Sequence, residues 1–227
     1  PALGVERLGS YIPMSSLPKT LNNLPVLGVA EDSLKPIGFR PDGTFIVAGM
    51  PGSGRTTALR YLAHALHRWN PRIPKYYIGP SRSVLHTEGI WADSAKTEEE
   101  ISKLAADIQP VFDLVTGDQP GGILFIESLS EFIGSNVEQA IVALIRAGRR
   151  NGHFIIGEAE SAGWASAWPI VSEIRNGRRG FILQPDQGDG DLFRVDFPRM
   201  KRADYPLGRG IMVDAGKFQV VQLPVPE

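Results

Sequence analysis

The 227-residue chain predicts an α/β fold, a mostly parallel central sheet with helices on both of its faces. Three observations carry that expectation. From residue 44 onward, short apolar β-rich runs alternate with longer segments of helical period. A glycine-rich turn joins the first such run to the first such helix. Finally, 42% of the residues are hydrophobic, enough at this length to bury one sizeable core with a small appendage.

The elements follow in order. Residues 1–43 are rich in proline and turn formers, with one expected hairpin: a run at 26–29, a turn at Asp32 and Ser33, and a return over 34–39. It reads as an edge hairpin packed on the main sheet, so 1–43 is the appendage and 44–227 the principal domain. The run Phe-Ile-Val-Ala at 45–48, bounded by Asp42-Gly43 and Gly49, reads as a buried parallel strand. Apolar residues at 58, 59, 62, 63 and 66 then keep helical spacing over 56–69. A second strand is expected at 76–79, followed by a polar loop. Thr97 and Glu100 form a capping box that opens a helix. Its apolar positions run from Ile101 to Val115 through Pro110, which should kink it. Strands are expected again at 123–126, 153–157 and 180–183. Between them lie a helix started by a second capping box, Ser135 with Glu138, and a helix around 167–175. Runs at 211–213 and 219–223 close the fold as β structure.

The turn after the first strand reads Gly49-Met-Pro-Gly-Ser-Gly-Arg-Thr-Thr. The pattern G-x-x-x-x-G-K-[ST] marks a phosphate-binding loop, and Gly49, Gly54 and Thr56 match it. Glycines let the backbone wrap a phosphate, and the first N–H groups and dipole of the helix favour an anion. The alternative is a glycine-rich turn of the same shape that binds nothing. The lysine position holds Arg55. Lysine places a compact charge between phosphates, whereas the guanidinium is planar and bulky, so arginine keeps anion affinity better than reaction geometry.

Hydrolysis at such a loop needs a magnesium-binding carboxylate at the end of a second buried strand, usually with a neighbouring glutamate that orients water. The strand at 123–126 is followed by Glu127, but the next position is Ser128, whose hydroxyl is no base at neutral pH. Two readings of Glu127 are open: a magnesium ligand, or the ion-pair partner of Arg55. Glu131 lies one turn on and is expected to face solvent. Weak or absent hydrolysis is the expectation.

These stretches resemble the FtsK/SpoIIIE class of P-loop motors, and more closely the C-terminal ATPase modules of type VII (ESX) secretion motors of the EccC/EssC kind. The likeness rests on the loop segment from Gly43 to Leu59, on Glu127, on Gly-Arg-Arg-Asn-Gly-His-Phe-Ile-Ile at 148–156, and on Tyr-Pro-Leu-Gly-Arg-Gly-Ile-Met-Val at 205–213. It implies a RecA-like core in which the strand at 153–157 lies between the loop strand and the strand at 123–126. It implies ATP and Mg²⁺ as ligands, with Gly49, Gly52, Ser53, Gly54, Arg55, Thr56 and Thr57 around the phosphates and Arg209 as a further contact. Thr56 and Glu127 would hold the magnesium, and Glu127 would be the one catalytic candidate. Active members carry a polar sensor where this chain has Gly-Glu-Ala-Glu at 157–160. Carboxylates there repel a γ-phosphate, a third departure after Arg55 and Ser128. The implied role is a degenerate ATP-binding module at the cytoplasmic face of a bacterial membrane, attached to the membrane only through its parent protein. The implied partners are sister ATPase modules and a WXG100-class secreted protein.

Composition narrows the alternatives, which are an active DNA-translocating ATPase and an interaction module that binds no nucleotide. A net charge of −1, from 24 basic and 25 acidic residues, is not that of a nucleic-acid binder. There is no cysteine, hence no disulfide or thiolate zinc site. No apolar run reaches the ~18–20 residues of a membrane span, no signal peptide is visible, and a start at Pro1 suggests an excised domain. Arginine clusters at 146–150, 175–179 and 199–202 read as solvated helix ends. Trp164, Trp168 and Phe181 read as core, and His64 and His67 as surface.

Overall fold

The computed structural model describes residues 7–226; residues 1–6 of the proline-rich segment and Glu227 lie outside the described residues. A small N-terminal β unit comes first: β1 (Thr20–Leu21), β2 (Leu24–Ala30) and β3 (Pro36–Gly38). Asn22 and Asn23, at φ 50° and 65°, join β1 to β2, the left-handed pair that a two-residue hairpin turn demands. The main unit follows as β4 (Gly43–Gly49), α1 (Arg55–Trp69), β5 (Lys75–Ile78), β6 (Asp93–Ala95), α2 (Glu98–Asp113) and β7 (Ile123–Ile126). It continues with α3 (Glu138–Asn151), β8 (Phe154–Glu158), α4 (Pro169–Arg175), β9 (Gly180–Leu183), β10 (Arg209–Asp214) and β11 (Lys217–Gln222).

All strands join one sheet, ordered β1-β2-β11-β10-β9-β4-β8-β7-β5-β6 with β3 paired to β2. The block from β9 to β6 is parallel. Strand β8 lies between the loop strand β4 and β7, the RecA-like order that the resemblance implied. The hairpin β10–β11 runs antiparallel and carries β2 on its outer side, so the N-terminal hairpin extends the sheet at its edge.

Period-two alternation decides what each strand buries. Phe45 and Val47 face α1, with Phe125, Phe154 and Ile156 beside them. Ile46 and Ala48 face the opposite layer, built from α2, α3 and α4. The expected apolar face of α1, from Ala58 to Leu66, is buried as its spacing demands.

Four local expectations are corrected. β6 forms inside the stretch expected to be a polar loop, pairing with β5. Helix α2 continues past Pro110 but ends at Asp113, so Val115 lies beyond it and is 82% exposed. The second capping box does not form. Helix α3 begins at Glu138, whose carboxylate accepts from the Gly134 N–H, while the Ser135 hydroxyl donates to the Phe132 carbonyl. Trp164 and Phe181 are core as expected, but Trp168 stands half exposed at the start of α4. No helix among the described residues is long and apolar enough to cross a membrane.

Candidate nucleotide site

The loop leaves the end of β4 and enters α1 at the carboxyl edge of the parallel strands, where α/β sheets bind their ligands. Gly52 and Gly54 adopt φ 79° and 95°, the left-handed region that glycine enters without cost. A Cβ at either would meet nothing within 4 Å, so the inner edge of the loop is open. Gly49 is glycine for another reason: a Cβ there would overlap Ser53 Oγ. That hydroxyl is buried and has no hydrogen-bond partner. Helix α1 opens on Gly54 with no side-chain cap and no acidic residue in its first turn, leaving its leading N–H groups for an anion.

Thr56 and Glu127 meet across the site. Thr56 Oγ1 donates to Glu127 Oε1 at 2.8 Å, although 71 residues separate them. Tyr77, fully buried on the neighbouring strand β5, donates its hydroxyl to Glu127 Oε2. Burial, followed by that bond, raises the Tyr77 pKa and keeps the phenol protonated. A threonine hydroxyl beside a carboxylate, in a polar cavity of about 360 Å³, is an oxygen donor set that fits Mg²⁺. Magnesium bound there would take Thr56 and Glu127 as ligands and neutralise phosphate charge.

Arg55 does not pair with Glu127. Its Nε donates to Glu158 Oε1, its Nη1 to the Gly49 carbonyl at 2.7 Å, and its Nη2 lies 3.7 Å from Glu160 Oε1. Glu158 in turn accepts the Ser128 N–H at 2.7 Å. Ser128 itself sits at φ 54°, ψ 48°, a left-handed conformation unusual for a residue with a side chain. Burial raises the pKa of Glu158 against the opposing pull of the Ser128 N–H and Arg55. The cation of the loop is thus occupied by acidic side chains and by the loop's own carbonyl. A second polar cavity of about 300 Å³ adjoins the first, and the two share Arg55, Arg82, Ser128 and Glu158. Around both, the guanidiniums of Arg55 and Arg82 face four carboxylates, those of Glu127, Glu131, Glu158 and Glu160.

The far side of the loop differs in character. Gly54, Thr57, Ala58, Leu183, Gly208 and Leu223 are among the residues lining a mostly apolar cavity of about 240 Å³. It suits a flat apolar group better than a phosphate.

The structure therefore gathers Gly49, Gly52, Ser53, Gly54, Arg55, Thr56, Thr57 and Glu127 around one loop, but it places the Arg209 side chain elsewhere. The Arg209 guanidinium donates to the Leu8 and Gly9 carbonyls and to Gln222, and Gly208 rather than Arg209 lines the apolar cavity. Its role here is to tie the N-terminal segment to the terminal hairpin. Sequence reasoning missed Tyr77 and Arg82. Nothing local marks Tyr77, because only the β5–β7 pairing brings it to Glu127. Arg82 had one available signal, a cation in a short proline-bounded loop directly after a predicted strand. Glu131 is half exposed as expected, but it pairs with Arg82.

This fold is that of the RecA-like P-loop ATPases. Among solved structures, it matches part of chains that hold the second and third ATPase modules of type VII secretion ATPases. Thermomonospora curvata EccC (ATPases 2 and 3), solved with a signal sequence peptide, matches with a TM-score of 0.79 and 22% identity over 100% of this chain and 45% of that one. Geobacillus thermodenitrificans EssC (ATPases 2 and 3) matches with a TM-score of 0.80 and 15% identity over 97% of this chain and 46% of that one. The pCW3 conjugation coupling protein TcpA, solved with ATPγS, matches with a TM-score of 0.68 and 14% identity over 96% and 71%. The chain thus spans less than half the length of the EccC and EssC chains that it matches. No protein-family model and no curated protein matches it in sequence.

Proposed function

We propose that this chain is a nucleotide-binding but catalytically degenerate ATPase module of a type VII secretion motor, on the cytoplasmic side of the membrane. It binds ATP weakly, turns it over negligibly, and regulates the motor through contacts with sister modules or with a secreted protein. The observation that carries this reading is the commitment of Arg55. In the lysine position of the loop, it is held by Glu158 and the Gly49 carbonyl, while Ser128 stands where a water-orienting glutamate is needed. Thr56 and Glu127 retain a magnesium site, and the apolar cavity beside Gly54 retains room for a base. Binding is kept and the chemistry is lost, because misplacing a transition-state contact by ~1 Å costs about 10²-fold in rate. The signal sequence peptide solved with the EccC modules supports a secreted protein as the partner, and we take the WXG100 class as its chemistry.

The test is phosphate release by the chain with ATP and Mg²⁺, alongside calorimetric titration. The expected result is measurable Mg-ATP binding with negligible turnover. Appreciable magnesium-dependent turnover that Thr56→Ala removes would overturn the catalytic half of the proposal. A flat titration, with a WXG100-type peptide still bound, would replace it by an interaction module that binds no nucleotide.

A further inference from the structure

A phosphate-binding loop whose own cation is occupied needs its positive charge from elsewhere. Arg55 has Glu158, Glu160 and the Gly49 carbonyl around it, and its side chain is only 18% exposed. To meet a phosphate it would have to leave a buried carboxylate, and an unpaired buried charge is costly. Arg82 is placed differently. It lies in the turn between β5 and the short helical turn at Val84–Thr87, and it lines both polar cavities together with Arg55, Ser128 and Glu158.

The backbone around Arg82 is tied down, while its side chain is held by a two-point pair with Glu131 alone, Nη1 donating to Oε2 at 3.2 Å and Nη2 to Oε1, among the described residues. The Gly79 N–H bonds to the Ala95 carbonyl at 3.2 Å, the Ser83 N–H to Pro80 at 2.9 Å, and the Leu85 N–H to Ser83 Oγ at 3.2 Å. The Arg82 side chain is 68% exposed, and Glu131, its ion-pair partner among the described residues, is 46% exposed. The pair is two-point but solvent-screened, and a phosphate offers the same fork two oxygens, so exchanging Glu131 for a phosphate keeps both bonds at small cost. The guanidinium also offers the planar fork that grips two phosphate oxygens at once. The charges of Glu127 and Glu158 add to Glu131 in raising the Arg82 pKa, which places the guanidinium within the field of the site.

We propose that Arg82, not Arg55, is the phosphate-contacting cation of this site, with Glu131 as the carboxylate that it leaves when a polyphosphate enters. The loop glycines and the start of α1 then hold the anion from one side, and Arg82 closes on it from the opposite wall. Recognition of the phosphates has moved from the loop itself to the neighbouring turn. This inference rests on the nucleotide-binding reading above, and the experiment separates the two.

Titrate the 227-residue chain with Mg-ATP and with inorganic tripolyphosphate, for the wild type and for Arg82→Gln, Arg82→Lys, Glu131→Gln and Arg150→Gln. Arg150 is an exposed arginine at the end of α3 and controls for net charge alone. Arg82→Gln should weaken both ligands about tenfold, the scale of one lost charge-assisted contact. Arg82→Lys should recover part of that loss, Glu131→Gln should tighten both ligands a few-fold, and Arg150→Gln should change neither. On addition of tripolyphosphate, the Arg82 Nε–H resonance should shift in the wild type. If Arg82→Gln binds like the wild type, or if Arg150→Gln loses as much, the role of Arg82 is wrong and the nucleotide-binding reading stands. If the wild type binds neither ligand, the nucleotide-binding reading fails and the role of Arg82 falls with it. Arg82 is solvent-exposed, so its variants are expected to fold; a circular dichroism spectrum unlike the wild type's would instead make Arg82 structural and overturn the proposal.

Discussion

The two sides of the phosphate loop have opposite character. On the β9 side, Gly54, Thr57 and Ala58 border a mostly apolar slot with Leu183 and Leu223. On the β8 side, the same loop borders two polar cavities in which two guanidiniums face four carboxylates. The first side provides neutral walls for a flat group, and the second opposes the polyanion that such a loop is shaped to receive. The contrast teaches where degeneracy acts. Replacing lysine by arginine does not empty the phosphate side of charge. It creates an ion pair, because Glu158 lies within reach on the adjacent strand β8.

The largest expected effect that breaks this contrast is on stability. Glu158→Ala removes a carboxylate whose side chain is 3% exposed, leaves the Ser128 N–H without its partner, and leaves Arg55 with the Gly49 carbonyl and the more distant Glu160. Breaking a buried pair costs ~3–5 kcal/mol. Arg55 is partly exposed and can turn toward water, so a loss of about 2 kcal/mol in urea unfolding is expected. A loss below about 0.5 kcal/mol, the range of ordinary surface changes, would show that the pair does not organise the polar side.

A smaller effect sharpens the apolar side. Thr57→Phe places a ring in the slot. It should weaken ATP about tenfold, a difference of ~1.4 kcal/mol, while leaving inorganic tripolyphosphate nearly unaffected. Calorimetry with both ligands checks this, and equal losses would mean that the slot does not hold the base.

The smallest effect is in pH. Burial raises the Glu158 pKa, so the native state holds that proton to higher pH than the unfolded chain does. Between the ordinary carboxylate value and the raised one, stability therefore falls as pH rises. Protonation at lower pH also removes one of the four carboxylates, so sulfate, whose charge is constant in this range, should bind a few-fold tighter as pH falls. Thermal unfolding and sulfate titration across pH check both signs, and Glu158→Gln should flatten both slopes.

Much of the fold was legible in local sequence. The period of α1, the apolar strands at 45–48, 123–126 and 180–183, and the capping box at Thr97 and Glu100 each describe a few consecutive residues, where backbone geometry and side-chain spacing act directly. The failures have equally local causes. Ser135 and Glu138 have capping-box spacing, but the chain turns through Gly134 at φ 71° and α3 starts later than that spacing implied. The strand β6 is only three residues long and shows too little pattern to separate it from a loop. Trp168 was placed in the core by its apolar character, yet as the residue preceding Pro169 it stays extended at the start of α4 and faces outward.

By itself, the sequence determined the loop, its missing lysine, the carboxylate at 127, the serine after it and the alternation that builds a mostly parallel sheet. It could also say that too many acids lie near the end of β8. The tertiary structure alone decided which acid meets which base. Arg55 and Glu158 are 103 residues apart in sequence, and Tyr77 and Glu127 are 50 apart. Both contacts exist because crossover connections place β8 beside β4, and β7 beside β5. Spacing along a chain reports the period of one element. The partner of a side chain across a sheet depends on strand order, and strand order is settled by how the whole core packs.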